Sequence, residues 1–235
     1  MNKSDMKQGA FAGQRAFVCG NGPSLTLEVL DAIKDEYTFG VNQVGIIFDR
    51  TDWRPTFYVG ITTALFDSRH HDYVMRGINE AKIAFCWDRY GARPETQTEH
   101  TIYMPCSRDE DIDYPPELAT DDYWSDNPLE RLDKFGVSAF AALQVAAWLG
   151  FDPIYLIGCD GDYSKPNGKD ESHFDADYRA FDVTPHYDYD ELNAALLRAH
   201  EIAEVNTQRL GIDIINLSMQ SVIEAHGRAR IEDIL

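Results

Sequence analysis

The chain has 235 residues, of which 44% are hydrophobic and 26% charged, and a formal net charge of −19. This length suits one sizeable α/β domain and is short for two full domains. A surface this acidic repels phosphate backbones, which disfavours a general nucleic-acid-binding role.

The sequence carries no targeting signal that we recognise. No apolar run approaches the length of a membrane span, and the first residues lack the apolar core of a signal peptide. We therefore expect a cytoplasmic protein without a transmembrane segment. The four cysteines are widely spaced, with no CxxC pair. Because Cys19, Cys86 and Cys159 lie at or near apolar strand-like runs, we expect buried free thiols there.

Short apolar runs alternate with helix-like stretches along the chain. Strands are predicted over residues 16–20, 38–42, 56–60, 82–87, 101–104, 153–158 and 212–217. Helices are predicted over residues 25–34, 136–149 (with Gly150 as its C-cap), 189–210 and 221–235. This alternation predicts a single Rossmann-like α/β domain over residues 1–235, with a doubly wound, mainly parallel sheet.

Two polar segments interrupt this alternation. Residues 107–128 are acidic and contain prolines, which predicts a surface excursion. Residues 161–188 follow a buried strand and are rich in Asp, Tyr, His and Gly. Loops of this length in compact domains are usually lids or disordered insertions. The aromatic content of residues 161–188 favours a lid-like insertion that orders over a ligand.

The loop after the first predicted strand carries the most specific signal. The sequence GNGPS, over residues 20–24, follows an apolar run and precedes an amphipathic stretch. Such a loop aims backbone N–H groups and the positive end of a helix dipole at one point, which suits a phosphate or another anion. Gly20 and Gly22 permit close approach, Pro23 gives up an N–H that a helix start does not need, and Ser24 can cap the first turn. The loop is neither a Walker motif nor a GxGxxG motif.

Three parts of the chain should converge on one site. In an open parallel sheet the site lies at the carboxyl ends of the strands. We therefore expect the Gly20 loop, the residues after Asn42 and the turn 158–162 to meet there. Asp160 could orient the loop or bind a ribose hydroxyl, or it could be a turn carboxylate that accepts bonds from nearby N–H groups.

Several segments together resemble a known family. They are GNGPSL at 20–25, VNQ at 41–43, the predicted helix 136–149 leading through LGF into IYLIGCD at 154–160, and the strand 212–217 followed by Ser218 and Ser221. This arrangement resembles the bacterial sialyltransferases of the Campylobacter and Haemophilus type (glycosyltransferase family 42) and the MptE-like proteins that share their nucleotide-binding half. The resemblance implies a nucleotide-sugar donor, a glycan or other hydroxyl acceptor, no metal or other cofactor, and a homo-oligomer.

The resemblance also implies roles for individual residues. Asn21 would contact the nucleotide phosphate or ribose, and Asn42 would bond the cytosine base or the donor sugar. The substrate- and nucleotide-binding set would comprise Gly20, Asn21, Gly22, Pro23, Ser24, Asn42, Gln43, Gly158, Asp160, Ser218 and Ser221. The family's asparagine after the third strand is not evident in residues 58–62, which leaves the donor sugar open.

Four residues of the lid-like insertion are candidate catalytic groups. Tyr163 and Tyr178 could donate O–H bonds to the departing phosphate, or they could pack the lid on the sheet. His186 best matches the order of the family histidine that deprotonates the acceptor, and His173, beside acidic residues, is its competitor. The resemblance thus implies an inverting, metal-independent glycosyltransferase, for which CMP-sialic acid is one possible donor.

Two other functions stay open on the sequence. An MptE-like diphosphokinase would need Mg-ATP. The acidic clusters at 109–113, 121–122 and 175–177 would then matter, because a carboxylate pair can hold Mg²⁺ against substrate phosphates. A non-catalytic nucleotide-binding module would leave the lid histidines without a role. His200 lies within the long predicted helix and receives no role.

Overall fold

The computed structural model describes residues 1–61, 71–88, 99–105, 119–133, 135, 137–163, 171–176, 178 and 188–235. Its strands are β1 (Ala16–Cys19), β2 (Thr38–Val41), β3 (Phe57–Gly60), β4 (Ile83–Asp88), β5 (Thr101–Pro105), β6 (Ile154–Ile157), β7 (Ile214–Asn216) and β8 (Gly227–Arg228). They form one sheet in the order β5-β4-β3-β2-β1-β6-β7-β8, and every neighbouring pair is parallel. The predicted α/β class with a parallel sheet is confirmed.

Helices cover both faces of this sheet. The α-helices of the described residues are α1 (Leu27–Ala32), α2 (His71–Glu80), α3 (Ser138–Leu149) and α4 (Tyr189–Leu210). Helices α3 and α4 share a hydrophobic core with one face of the sheet. Helices α1 and α2 and the 3-10 turn Val44–Ile47 share a second core with the other face. The sheet is therefore doubly wound, as predicted.

The central strands are apolar throughout because both of their faces are buried. In β1, Ala16 and Val18 point into the core of α3 and α4, whereas Phe17 and Cys19 point into the opposite core. Successive side chains of a strand alternate between faces, so a strand covered on both sides shows no polar alternation. The same alternation holds along β6.

The strand order reverses between β1 and β6. The chain builds β1 to β5 outward in one direction and then returns to place β6 to β8 on the other side of β1. Cys19 of β1 lies in register with Ile157 of β6, so the two strands end level. Open parallel sheets bind ligands at such a switch point, in the crevice beyond the carboxyl ends of the strands.

The two long helices agree best with the sequence. Helix α4 has the predicted bounds. It begins at the N-cap Asp188, whose carboxylate accepts from the N–H groups of Asp190 and Glu191, and it ends at Gly211. Helix α3 is buried along almost its whole length and ends at Gly150, which has φ 87° and is the predicted C-cap.

Other predicted elements are wrong or were missed. The predicted terminal helix over 221–235 is instead strand β8 followed by the 3-10 turn Ile231–Asp233. Helix α1 starts later than predicted, at the N-cap Thr26, whose hydroxyl accepts from the Val29 N–H. The predicted cap at Ser24 is therefore wrong. Helix α2 was not predicted.

The buried cysteines agree with the sequence analysis. Cys19, Cys86 and Cys159 are buried and free, as predicted. Burial raises the pKa of each thiol, to about 12 at Cys86 and Cys159, so these groups stay protonated.

In the described part of the chain, none of the helices combines the length and the apolar character that crossing a membrane requires.

Candidate functional site

A cleft opens at the carboxyl ends of β1, β2 and β6. Its walls are the loops after these strands, the first residues of α3, one face of α4 and parts of the segment 171–178. The space between the walls, including the open mouth, is about 540 Å³. The described residues that line it include Asp160 and Asp162 but neither Lys nor Arg. A bound anion would therefore depend on backbone dipoles and hydroxyl groups.

The loop after β1 and the turn after β6 hold each other by main-chain contacts. The Gly20 N–H donates to the Ile157 carbonyl at 2.7 Å, and the Gly22 N–H donates to the Gly158 carbonyl at 2.8 Å. Gly158 has φ +66°, and a Cβ there would lie 2.6 Å from the Gly20 carbonyl oxygen. Glycine is therefore needed at Gly158 for both its conformation and the close approach.

Three amides of the predicted cradle, those of Gly20, Gly22 and Ser24, are already bonded within the chain. The Ser24 N–H donates to Asp160 Oδ2 at 3.0 Å, while the amides of Gly20 and Gly22 bond carbonyls of the neighbouring turn. A carboxylate of the chain itself therefore occupies the place where an external anion was expected. Asp160 accepts an N–H bond as a turn carboxylate would and thereby orients the loop, so these contacts fit two of its three predicted roles and leave the ribose hydroxyl as a prediction.

Asn21 lies on the cleft wall and connects three elements. Its Nδ2 donates to the Val41 carbonyl at 3.1 Å and to the Tyr178 hydroxyl at 2.7 Å. Its carbonyl accepts from the Phe174 N–H. Its Oδ1 is buried and has no partner among the described residues. Because Oδ1 can only accept, it suits a ligand hydroxyl or amino group and not a phosphate oxygen.

Asn42 joins the end of β2 to the start of α3. It has φ 50°, a left-handed conformation that asparagine tolerates better than most residues. The Ser138 hydroxyl donates to Asn42 Oδ1 at 2.8 Å, and the Tyr58 hydroxyl donates to the Asn42 carbonyl at 2.7 Å. Burial raises the pKa of Tyr58 well above its ordinary value, which keeps this phenol protonated as a donor.

The start of α3 faces the cleft through Val137, Ser138 and Ala139. The first N–H groups of a helix lack intrahelical partners, and they carry the positive end of the helix dipole. The first turn of α3 has no acidic side chain. This helix start is therefore the part of the cleft best suited to an anion. The sequence analysis missed Ser138, although a hydroxyl at the start of a buried helix was a usable signal.

The described residues of the segment 171–178 stack over the Gly20 loop. The rings of His173 and Tyr178 lie nearly parallel with centroids 4.1 Å apart. The ring centroid of Tyr163 lies 5.7 Å from that of His173. Asp175 pairs with Arg50 at the edge of this stack. His173, Tyr163 and Tyr178 all line the cleft.

The structure brings most of the predicted site residues together, but not all. Nine of them line the cleft: Gly20, Asn21, Gly22, Asn42, Gly158, Asp160, Tyr163, His173 and Tyr178. Pro23, Ser24, Gln43, Ser218 and Ser221 are not among the lining residues. His186, the first candidate for the base, lies outside the described residues.

The two serines after β7 hold loops in place. The Ser24 and Ser218 hydroxyls are bonded to each other at 2.8 Å. The Ser221 hydroxyl donates to the Cys159 carbonyl at 2.7 Å and accepts from Asn216 Nδ2. These bonds fix the turn after β6 from the β7 side, so the serines shape the cleft without lining it.

The acidic clusters weighed for magnesium are only partly described. Residues 109–113 and 177 lie outside the described ranges. Asp121 pairs with Arg198, and Asp175 pairs with Arg50. Among the described residues, no three His, Cys, Asp or Glu side chains are grouped as metal ligands would be.

The sequence analysis also missed His200. This residue lies on the face of α4 that lines the cleft, next to Leu196 one turn earlier. Its ring is bonded to His226, which the sequence analysis did not consider. A spacing of 26 residues between two histidines carries no recognisable pattern, so only the fold could bring them together.

No family model matches the sequence, and no curated protein matches it. Solved structures with the same fold do exist. The MAf glycosyltransferase from Magnetospirillum magneticum AMB-1 matches with a TM-score of 0.59 and 18% identity, over 95% of this chain and 35% of that one. The chain therefore spans about a third of the length of that protein.

Two smaller structures share the fold over most of their length. The sialyltransferase CstII from Campylobacter jejuni, in complex with the substrate analogue cytidine-5′-monophosphate, matches with a TM-score of 0.51 and 17% identity, over 93% of this chain and 86% of that one. A variant of the sialyltransferase CST-II in complex with CMP matches with a TM-score of 0.53 and 16% identity, over 92% of this chain and 86% of that one. At these identities the likeness establishes the fold.

Proposed function

We propose that the protein is a glycosyltransferase that moves a sugar from a nucleotide-sugar donor to a hydroxyl acceptor. The observation that carries this proposal is the cleft at the switch point between β1 and β6, lined by Asn21, Asn42 and the start of α3. The matched structures support it, because they are glycosyltransferases by name and two of them hold CMP.

Each part of the donor nucleotide would lie against the part of the cleft wall that offers the complementary hydrogen-bond donors or acceptors. Its phosphate suits the start of α3, where helix N–H groups can donate; the Ser138 hydroxyl already donates to Asn42 Oδ1. Its ribose hydroxyls suit Asn21 Oδ1, which lacks a partner in the described chain. Asn42 would meet the base or the sugar. This arrangement differs from the one expected from the sequence, in which the GNGPS loop held the phosphate.

We propose a single, inverting displacement that needs no metal. The acceptor oxygen would attack the anomeric carbon on the face opposite the leaving phosphate, and a base would take the hydroxyl proton. Tyr163 and Tyr178 would donate to the leaving phosphate, together with the α3 helix start. CMP-sialic acid is the donor that we propose first, because two matched structures hold CMP.

Thermal-shift measurements with CMP, UDP, GDP and ATP, each with and without Mg²⁺, test this proposal. We expect CMP to raise the melting temperature with or without a chelator. Stabilisation by ATP that requires Mg²⁺ would instead favour the diphosphokinase. Stabilisation by a nucleotide without transfer or hydrolysis of any nucleotide sugar would favour a binding module.

Variants sharpen the assignment of the site. We expect Asn21→Ala to weaken CMP binding, because it removes the acceptor Oδ1 and the bond to Tyr178. Asn79→Ala, at an exposed position on α2, is the matched control and should bind normally. Unchanged affinity in Asn21→Ala would contradict the proposed site. His186→Ala tests the candidate base that the sequence analysis placed first: loss of transfer with normal CMP binding would assign the base to His186.

A further inference from the structure

Three side chains form a hydrogen-bonded row behind the α4 wall of the cleft. His200 lies on that wall and is 2% exposed. Its Nδ1 is 2.9 Å from Nε2 of His226, a residue between β7 and β8. Nδ1 of His226 is in turn 2.7 Å from Oε2 of Glu204, one turn beyond His200 on α4. The row therefore connects the cleft to a carboxylate on the far side.

The Glu204 carboxylate fixes the hydrogen on Nδ1 of His226, and the rest of the row follows when His226 is neutral. The bond from His226 holds the pKa of Glu204 below its usual range, so Glu204 is ionised and can only accept. Nδ1 of His226 must then carry the hydrogen. A neutral His226 accepts at Nε2, so Nδ1–H of His200 is the donor. The other ring nitrogen of His200, Nε2, has no partner among the described residues.

We propose that His200, His226 and Glu204 form a proton relay in which His200 Nε2 is the base for the acceptor hydroxyl. This inference rests on the proposed function and deepens it by assigning the base. His186 and His173 are the competing assignments from the sequence.

The acceptor O–H gives its proton to His200 Nε2, while the oxygen lone pair forms a bond to the anomeric carbon. The bond from that carbon to the donor phosphate breaks, and its electron pair leaves with the nucleotide. Nδ1–H of His200 passes to Nε2 of His226. His226 is then a cation beside the Glu204 carboxylate. After the products leave, Nε2 of His226 returns its proton to Nδ1 of His200, and Nε2 of His200 releases its proton to solvent in the cleft, which restores the starting arrangement.

The relay explains how so buried a histidine could serve as a base. Burial lowers the pKa of His200 well below its ordinary value, with a further contribution from His226. An isolated imidazole in this position would accept a proton poorly. Transfer to His226 places the charge next to a carboxylate, where a cation is stabilised. Six other titratable side chains among the described residues line the cleft, namely Cys159, Asp160, Asp162, Tyr163, His173 and Tyr178, so the pH dependence requires matched variants.

Glu204→Gln and Glu201→Gln are a matched pair on one helix. Glu201 pairs with Arg198 at an exposed position, whereas Glu204 bonds His226. In Glu204→Gln we expect an unchanged thermal shift with CMP, a KM within about twofold and a kcat lowered by roughly tenfold or more. The acidic limb of the kcat profile should move to lower pH, because protonated His226 loses its carboxylate. Glu201→Gln should match the wild type.

His200→Gln tests the base itself. We expect a kcat loss of roughly 10²–10⁴-fold with CMP binding retained, which is the usual contribution of a general base. Full turnover in His200→Gln, or an unshifted pH profile in Glu204→Gln, would overturn the relay while leaving the proposed function intact. A role in structure alone would lower the melting temperature of Glu204→Gln without moving its pH profile.

A spectroscopic measurement separates failure of the relay from failure of the proposed function. If neither CMP nor any nucleotide sugar binds to the wild type, the proposed function fails and the catalytic role falls with it. The nitrogen chemical shifts of the imidazole rings, measured by NMR, then test the proton arrangement without any substrate. We expect Nε2 of His200 to be unprotonated and Nδ1 of His226 to be protonated. The reverse arrangement would overturn the relay even in an active enzyme.

Discussion

At Gly22 the loop after β1 meets the turn after β6 with no room for a side chain. A Cβ there would lie 2.1 Å from Asp160 Oδ2 and 2.8 Å from the Gly158 carbonyl oxygen. The carboxylate cannot retreat freely, because it accepts the Ser24 N–H. The glycine therefore allows the chain to bring its own carboxylate against the loop, in a place where other loops of this kind hold a ligand anion.

We predict that Gly22→Ala lowers the free energy of unfolding by roughly 1–3 kcal/mol, since overpacking in a fixed region costs about this much. Urea denaturation measures the change. Gly227→Ala is the control, because the nearest atom to a Cβ there is 3.9 Å away. Equal stability of the two variants would contradict the contact. Adding Asp160→Ala to Gly22→Ala should recover only part of the loss, because the Gly158 carbonyl stays in place.

Among the elements, α3 and α4 could be predicted because their signals are local. A long apolar segment with a glycine after it defines α3, and an acidic N-cap with a glycine at the other end defines α4. The central strands were equally clear, since burial on both faces makes them continuously apolar. Only their ends were misjudged, by one or two residues.

The terminal segment could not be predicted because distant contacts determine its shape. Arg228 donates to the carbonyls of Met219, Ser221 and Ile223. Strand β8 pairs with β7. These bonds hold residues 219–228 in a non-helical path with a turn at 219–220 and a bend at 225–226, although the sequence there is compatible with a helix. Tertiary hydrogen bonds of this kind override a weak local propensity.

We predict that Arg228→Ala lowers the free energy of unfolding by about 1–2 kcal/mol, because its bonds to main-chain carbonyls are lost. Arg230→Ala is the matched control two residues later. Arg230 makes an exposed ion pair with Glu232, and such pairs contribute little. Urea denaturation should separate the two variants. If they unfold alike, the guanidinium of Arg228 does not hold this segment.

The candidate site was predictable to the extent that it follows strand ends. Asn21, Asn42 and Asp160 come directly after apolar runs, and the parallel sheet brings them together. Ser138 and His200 enter from helices, and which face of a helix meets the cleft depends on packing. The direction of the Asp160 carboxylate was also invisible in the sequence. The bond from the Ser24 amide to that carboxylate could not be predicted for the same reason.

At the scale of the whole molecule, two opposing effects set how stability depends on pH. The formal charge of −19 makes the folded chain repel itself, and protonation of surface carboxylates at lower pH relieves this. Buried His200 acts in the opposite direction. Its pKa is lowered in the folded state, so between the two pKa values the unfolded chain binds more protons. The contribution of neutral His200 to stability is therefore complete when the pH is above the pKa of this histidine in the unfolded chain, about 6.5. That contribution declines as the pH falls below this pKa.

We predict that, in about 0.5 M NaCl to screen the surface charges, the free energy of unfolding falls as the pH drops from about 7 to about 5.5. The slope from His200 is at most about 1.4 kcal/mol per pH unit. Glu204 contributes in the same direction only below about pH 4.5, because its lowered pKa matters there. Urea denaturation at each pH measures the slope. His200→Gln should flatten it, whereas His71→Gln, on α2 across the sheet, should retain it. A slope that persists in His200→Gln would assign the pH dependence to other groups.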